Sequence, residues 1–289
     1  MSTHTEPAVV AGIDGSSVSL GALRWAARAA ARYGAPLNLV YAVGAPIDFG
    51  PGLGVVAFDN QAMRADGEAV CAAGEKLARE ITGEVEISTV VVDPAPAPTL
   101  IERSRDARMV VVGTHGYGAL GRGLLGSVST ALARHAHCPV AVIPETYAEH
   151  EDERAGLPVV VGVDGSARGA EAVEIAFEEA CRRGVALVAV TTWSEFFRYV
   201  SRSEMQEQAR AVQAESLAGY GERYPDVPVT HVVAEERPAR RLLREADGAQ
   251  LVVVGSHGRG GFAGMTLGST GQAVLHSVSV PLIIARQRI

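Results

Sequence analysis

The feature that most limits what this chain can fold into is a stretch that occurs twice. Residues 110–127 read Val110-Val111-Val112-Gly113-Thr114-His115-Gly116-Tyr117-Gly118-Ala119-Leu120-Gly121-Arg122-Gly123-Leu124-Leu125-Gly126-Ser127. Residues 252–269 read Val252-Val253-Val254-Gly255-Ser256-His257-Gly258-Arg259-Gly260-Gly261-Phe262-Ala263-Gly264-Met265-Thr266-Leu267-Gly268-Ser269. An offset of 142 carries Gly113, Gly116, Gly126 and Ser127 onto Gly255, Gly258, Gly268 and Ser269. Each copy runs from a β-branched strand through a glycine loop into a helical stretch. A doubly wound sheet builds a phosphate site in that order. Glycine lets the backbone approach an anion closely, and successive N–H groups form a concave nest for its oxygens. Ser127 stands where a cap belongs, at a helix end that favours negative charge. One glycine loop is a weak signal; two with the same spacing, each after a strand, are a strong one.

Around these loops the chain alternates strands and helices. Pro7–Ile13 is a first strand ending at Asp14-Gly15-Ser16, and a helix runs from about Ser17 to Tyr33 with Gly34 as its stop. Arg24, Arg28 and Arg32 form a polar row on it, expected to be a solvated face. Trp25 is expected in the core. Leu37–Val43 is the second strand, and Gly44 to about Asn60 reads as a long loop of the kind that is often functional. A helix over Gln61–Ile81, a strand over Val85–Val92, and a short helix after Pro94, Pro96 and Pro98 lead to the fourth strand, the first loop, and a helix over Val128–His135. Cys138–Pro144 closes the unit with a fifth strand.

Residues 145–156 are acidic and read as a linker, dividing the chain into domains 7–144 and 157–289. The pattern then restarts at Val159–Val163 and Asp164-Gly165-Ser166. A helix stops at Gly184, a strand spans Leu187–Trp193, and a helix is expected from about Glu204 to Tyr224. Val229–Ala234, a short helix over Pro238–Asp247, the second loop and Val280–Ile284 complete the copy. The offset falls from 150 at Asp14/Asp164 to 142 at Gly113/Gly255, so the second copy is shorter between its second and fourth strands. The expected fold class is α/β: two tandem doubly wound domains, each a mainly parallel five-stranded sheet with helices on both faces. Ligand then belongs at the carboxyl ends of the strands, at the topological switch point.

The 289 residues suit roughly two domains of about 100–200 residues each. A net charge of −7 without a basic cluster argues against bulk nucleic-acid binding. No apolar run reaches the roughly 18 residues of a membrane span, and Met1–Glu6 lacks the layout of a signal peptide. Cys71, Cys138 and Cys181 have no metal-ligand spacing and read as reduced thiols of a cytoplasmic protein.

Taken together, Gly12-Ile13-Asp14-Gly15-Ser16, the Gly113/Gly116/Gly126-Ser127 loop, Cys138-Pro139-Val140 and their counterparts in the second half resemble the universal stress protein family in its tandem form. The resemblance covers nearly the whole chain. That family is similar to flavodoxin-like and adenine-nucleotide-binding folds, and members that keep the glycine motif bind ATP. Both halves keep it, so the resemblance implies two ATP sites per chain, with Mg²⁺ accompanying the phosphates. It puts Asp14 and Asp164 at the ribose, where a carboxylate accepts from hydroxyls. It puts the backbones of Ala42 and Thr192 at the adenine edge, and Gly12 and Gly162 beneath the nucleotide. Gly113, Thr114, His115, Gly116, Tyr117, Gly118, Ala119, Gly126, Ser127 and Val128 would wrap ribose and phosphates. In the second half, Gly255, Ser256, His257, Gly258, Arg259, Gly260, Gly261, Gly268, Ser269 and Thr270 do so. Tyr117 faces Arg259 across the repeat, a difference that would strengthen phosphate binding in the second site. The resemblance further implies that the halves pair through their fifth strands and that two chains form a homodimer, since an uncovered apolar edge is an aggregation liability.

Asp14 and Asp164 also suit plain turns, because Asp and Gly favour them; their recurrence with the same neighbours favours ligand contact. Trp193, at the mouth of the second strand of its half, is placed either to shield a base or simply to pack. His115 and His257 have no triad partners in the sequence and are read as loop residues, not catalysts. Three functions remain: an ATP-binding regulator acting through an unknown protein partner, a slow ATPase or nucleotidyl transferase, and an interaction module that does not use nucleotide. The Gly-Lys-Ser/Thr signature of P-loop enzymes is absent, which favours the first. At this stage Gly113→Val with Gly255→Val is expected to block nucleotide while sparing the fold.

Overall fold

The computed structural model describes residues 6–43, 60–93, 95–116, 125–147, 151–194, 201–258 and 266–286. The long loop expected after Val43 lies outside the described residues, as do Tyr117, Gly118, Ala119, Arg259, Gly260 and Gly261. The first half runs β1 (Val9–Gly12), α1 (Ser17–Tyr33), β2 (Leu37–Ala42), α2 (Asn60–Thr82), β3 (Ile87–Val92), α3 (Pro96–Arg103), β4 (Met109–Gly113), α4 (Ser127–His135) and β5 (Val140–Ile143). A 3₁₀ turn (Glu145–Tyr147) and α5 (Glu151–Arg154) follow. The second half runs β6 (Val159–Gly162), α6 (Ala167–Arg183), β7 (Leu187–Trp193), α7 (Arg202–Leu217), α8 (Tyr220–Arg223), β8 (Val229–Glu235), α9 (Pro238–Ala246), β9 (Leu251–Gly255), α10 (Ser269–Ser277) and β10 (Leu282–Ala285).

The strands form one ten-stranded sheet in the order β3-β2-β1-β4-β5-β10-β9-β6-β7-β8. Within each half all pairs are parallel. The chain winds outward from β1 to β3, then crosses back to place β4 on the other side of β1. That reversal is the switch point of a doubly wound sheet, and it brings Gly12 and Gly113 to the same end of adjacent strands. The inner strands are buried on both faces, as parallel strands between two helix layers must be. Edge strands β3 and β8 carry only half-buried and exposed residues.

The halves join by antiparallel pairing of β5 with β10, in register Leu282 to Val142, Ile283 to Ala141 and Ile284 to Val140. All six residues are buried, and one hydrophobic cluster runs through both halves. The apolar fifth strands are thus covered inside a single chain, so they supply no edge that calls for a second chain.

The first helix of each half shows why these sequences fold alike. Asp14 Oδ1 accepts from the Ser16 backbone N–H at 3.0 Å and from the Ser16 hydroxyl at 2.6 Å, and Gly15 takes φ +84°. Ser16 then caps α1 by accepting from the Ser19 N–H. Asp164, Gly165 and Ser166 repeat this turn ahead of α6. Gly34 and Gly184 end the two helices in the left-handed region, which other residues enter at a penalty. The strand offset is 150 at Leu37/Leu187 and 142 at Ile87/Val229, which places the shortening between the second and third strands.

Three expectations need correction. The arginine row on α1 is solvated only at Arg24. Arg28 pairs with Glu151 of α5, and Arg32 lies largely covered, 5.8 Å from the Trp25 ring centroid. The 3₁₀ turn Glu145–Tyr147 packs against α1, with Tyr147 buried, instead of leaving that face to water. Second, the helix expected to continue to Tyr224 breaks at Ala218-Gly219, where Gly219 has φ +80°. The break lets Tyr220 stack on Phe177 at 4.7 Å and Tyr224 at 5.6 Å. Third, Ser127 is not a cap; it is the first residue of α4, and the cap position belongs to Gly126. Trp25 is in the core as expected. All three cysteines are free, Cys71 and Cys138 buried and Cys181 exposed.

Candidate functional site

Each half has a cleft at the carboxyl end of its sheet. The cleft of the first half lies between the ends of β1, β2 and β4 and the starts of α3 and α4. Of the residues singled out from sequence, Gly12, Asp14, Ala42, Gly113, His115, Gly116, Gly126 and Val128 line it. Thr114 and Ser127 do not. In the second half Gly162, Asp164, Thr192, Gly255, His257, Gly258, Gly268, Ser269 and Thr270 line the matching cleft, whereas buried Ser256 does not. Trp193 is not part of the lining, so nothing in the geometry makes it a shield for a base.

The glycine loop is pinned where it leaves and rejoins the scaffold. Thr114 N–H donates to the Ile143 carbonyl at 3.0 Å, and Gly126 N–H donates to the Thr114 carbonyl at 2.7 Å. The Ser129 hydroxyl adds a bond to the same carbonyl at 2.9 Å. The second loop is closed alike, by Ser256 N–H to Ala285 and Gly268 N–H to Ser256 at 2.7 Å. The two ends of each loop are therefore tied mainly by backbone hydrogen bonds.

Two glycines are dictated by close approach. A Cβ on Gly116 would stand 2.0 Å from Asp14 Oδ2, and one on Gly258 would stand 2.7 Å from Asp164 Oδ2. The turn reading and the ligand reading of the aspartates are thus compatible. One carboxylate oxygen shapes the turn into the helix, while the other faces the start of the glycine loop. The histidines are held locally. His115 Nδ1 is 3.2 Å from Thr114 Oγ1 and its Nε2 is 3.5 Å from Glu145 Oε2; His257 Nδ1 is 3.2 Å from Ser256 Oγ.

The helices that open on the cleft differ from those on the turn. Serine side chains cap α1, α6 and α7. By contrast α4 and α10 start at Gly126 and Gly268, with no side-chain cap bond. A helix start leaves up to four N–H groups without intrahelical partners. Residues in the first turn of α4 and α10 line the two clefts, where the macrodipole also favours an anion.

Sequence reasoning missed the lid side of the cleft. Leu100 of α3 and Leu242 of α9 lean over Gly12 and Gly162, and Pro96 and Pro238 line the mouths. The signal was available: Pro96 and Leu100 recur as Pro238 and Leu242 at the same offset of 142 as the loops. Ser19 and Gly169, in the first turn of α1 and α6, were missed as well.

Fold and cleft together define a tandem pair of flavodoxin-like α/β domains with a glycine loop at each switch point. The chain belongs to the universal stress protein family, whose model matches residues 7–144 and 157–286. It is 46% identical over 286 residues to universal stress protein Rv2005c of Mycobacterium tuberculosis (strain H37Rv), covering 96% of this chain and 97% of that one. The crystal structure of a universal stress protein from Archaeoglobus fulgidus matches with a TM-score of 0.71 at 19% identity, covering 98% of both chains, a likeness of fold. A crystal structure of universal stress protein in complex with cAMP matches 47% of this chain and 96% of its own at 28% identity, with a TM-score of 0.37. The cAMP is a property of that protein.

Proposed function

We propose that this chain is an ATP-binding regulatory protein of the stress response, with one adenine-nucleotide site in each half. The observation that carries the reading is the uncapped start of α4 and of α10 at a cleft with an aspartate on its far side. Backbone N–H groups would take the phosphates, and Asp14 or Asp164 would accept from the ribose hydroxyls. Gly12 and Gly162 fit the group physically, since side chains there would enter the space the ligand needs. Bound nucleotide adds negative charge at the cleft, and that change is what a partner protein would sense. Among the described residues no cluster of three or more His, Cys, Asp or Glu side chains is placed to hold a metal, so Mg²⁺ would arrive with the phosphates.

On this reading residues 7–144 and 157–289 are the two domains, and two chains associate as a dimer in the cytoplasm. Light scattering at micromolar concentration tests the dimer, and a clean monomer overturns it. Among the described residues no helix is long and apolar enough to cross a membrane.

The experiment that tests the reading is direct. Protein purified without added nucleotide is denatured, and the released small molecules are resolved on a nucleotide column. ATP in the eluate supports a regulator that binds and keeps it. ADP or AMP after loading with ATP favours a slow hydrolase. An empty protein that also fails to bind added MgATP overturns nucleotide binding.

A further inference from the structure

We infer that the two clefts are not equivalent: the second takes the nucleoside polyphosphate, and the first is too narrow and too poor in positive charge to hold one tightly. This rests on the nucleotide-binding reading above and assigns it unequally between the halves. The cavity is about 310 Å³ in the second half and about 120 Å³ in the first.

One difference between the clefts lies in the first helical turn. Ser19 of α1 corresponds to Gly169 of α6. Ser19 is buried, with its hydroxyl donating to the Ser16 carbonyl and accepting from the Asp14 N–H. Its side chain occupies the space behind Asp14. Gly169 has no side chain, and Asp164 has moved into the vacant space, with Oδ1 only 2.5 Å from where a Cβ on Gly169 would be. The other carboxylate oxygen is correspondingly farther from the loop, 2.7 Å from a Cβ on Gly258 against 2.0 Å for the pair Asp14 and Gly116. The floor differs in the same direction. A Cβ on Gly12 would meet Leu100 Cδ1 at 2.8 Å and Val112 Cγ1 at 3.1 Å, whereas one on Gly162 would meet Leu242 Cδ1 at 3.4 Å and Val254 at 3.9 Å.

Charge follows size. Where the first half has Val18, Ala95 and Pro144, the second has Arg168, Arg237 and Arg286. Glu236, which replaces Pro94, is already held by Arg240 and Arg244. The first half adds an anion of its own, Glu145, against His115; the matching position in the second half is Gln287. Each loop interior carries one arginine, Arg122 or Arg259, and does not tip the balance. Arg168 is exposed in the first turn of α6, where the helix dipole disfavours a cation, and among the described residues it has no carboxylate partner. Arg286 donates to the Ala133 and Thr266 carbonyls and stands near enough to Arg168 to feel its charge. None of the three arginines lines the cleft itself, but Arg168 adjoins Gly169 of the lining, and excess positive charge beside the cleft favours a ligand bearing several negative charges. The lining is exchanged as well: Thr192 and Thr270 replace Ala42 and Val128, while Gly169 and Gly271 stand where Ser19 and Ser129 take up space in the smaller cleft.

The test is calorimetric titration of the full chain with MgATP and, separately, adenosine. The expected isotherm has one tight MgATP step per chain and a second at least about tenfold weaker, a difference of about 1.4 kcal/mol. Gly162→Val should remove the tight step, and Gly12→Val, shown by its melt to keep the parent fold, should leave it. Arg168→Ala, at an exposed position that the fold tolerates, should weaken the tight MgATP step at least about threefold and leave adenosine unchanged. That variant keeps the inference testable if Gly162→Val melts too low to titrate. Two equal MgATP steps, or loss of the tight step in Gly12→Val, overturn the inference while leaving nucleotide binding intact. No heat with either ligand overturns both.

Discussion

The hydroxyl of Tyr33, at the end of α1, donates to the carboxylate of Glu179 in α6, and this bond crosses from one half of the chain to the other. Glu179 is fully buried. Arg183 also binds it, Nε to Oε2 at 2.7 Å, and reaches Gln250 at 2.7 Å. Gln250 in turn donates to the carbonyls of Ala155 and Leu157 in the connection between halves. Arg182 donates to the Arg32 carbonyl, and Arg108 lies over the Tyr33 ring. Arg32 Nε and Nη2, Arg183 Nη2 and Trp25 Nε1 are buried without a hydrogen-bond partner among the described residues. One carboxylate therefore sits among several covered donors.

Removing that carboxylate should damage the junction out of proportion to one hydrogen bond. Glu179→Gln leaves buried guanidinium groups uncompensated, a change that costs about 3–5 kcal/mol in buried ion pairs. Tyr33→Phe removes one charge-assisted bond, an expected loss of roughly 1.5–3 kcal/mol. Urea unfolding of both variants checks this. A Glu179→Gln protein as stable as its parent would mean that the cluster is not held by this charge.

The same groups set the pH range of stability. Burial alone would raise the Glu179 carboxyl. Arg183, Arg32 and the bonds from Tyr33 and Arg183 outweigh it and hold the group below its ordinary value of 4.5. Its contribution is present above that value and is lost as pH falls through the lower folded value. Burial first, then Glu179, raises Tyr33 well above 10.0. Burial and Glu174 push Tyr220 up to about 12; burial likewise raises Tyr147 and Tyr224. Their contribution is full below pH 10 and disappears as pH rises through the folded values. Melting temperature should hold between these limits and fall on both sides. Tyrosinate absorbance should rise late, together with unfolding. A single ionisation of all the tyrosines near pH 10 in a still-folded protein would contradict the burial argument.

Local patterns made the elements legible, and distant contacts account for what was missed. Ser17–Tyr33 could be read because its cap, apolar face and Gly34 stop lie within one segment. The repeat located both loops and the shortened region because it compares the chain with itself. The arginine row was misread because the partner of Arg28 comes from α5 and the charged neighbours of Arg32, Arg183 and Glu179, come from α6, far along the chain. The break at Gly219 depends on the Phe177 ring, which no window around Gly219 contains. The lid leucines were legible in principle, since they obey the loop offset, but an apolar residue on a short helix carries no mark of facing a cleft.

Gly113→Val, expected from sequence to spare the fold, is now expected to disturb it. A Cβ there would stand 2.6 Å from Val18 Cγ1 and 3.3 Å from the Val18 backbone. The first turn of α1 would have to move, at about 1–3 kcal/mol for overpacking. Gly255→Val faces backbone as well, the carbonyls of Arg168 and His257 at 3.3 Å each. Thermal melts should show both variants less stable than Gly34→Ala, where nothing lies within 4 Å and only the left-handed φ of 63° penalises the side chain. Equal melting temperatures for Gly113→Val and the parent would refute the close packing of β4 on α1.

Asp164→Asn separates the two uses of this aspartate. Asn keeps an oxygen able to accept from Ser166 N–H and its hydroxyl, bonds now made to Oδ1 at 3.0 and 2.7 Å. Asn is also a favoured residue for such turns, so stability should change by less than about 0.5 kcal/mol. The substitution removes the negative charge facing Gly258 and offers an amide N–H instead of a second acceptor. If ribose hydroxyls donate to that oxygen, as proposed, losing a charged acceptor weakens nucleoside binding by about 1.5–3 kcal/mol, roughly ten- to hundredfold. The loss should be similar for adenosine and ATP, because the carboxylate meets the sugar that both share. A variant that keeps full adenosine affinity would leave Asp164 as a turn residue only, and a variant that weakens ATP alone would move its role from the sugar to the phosphates.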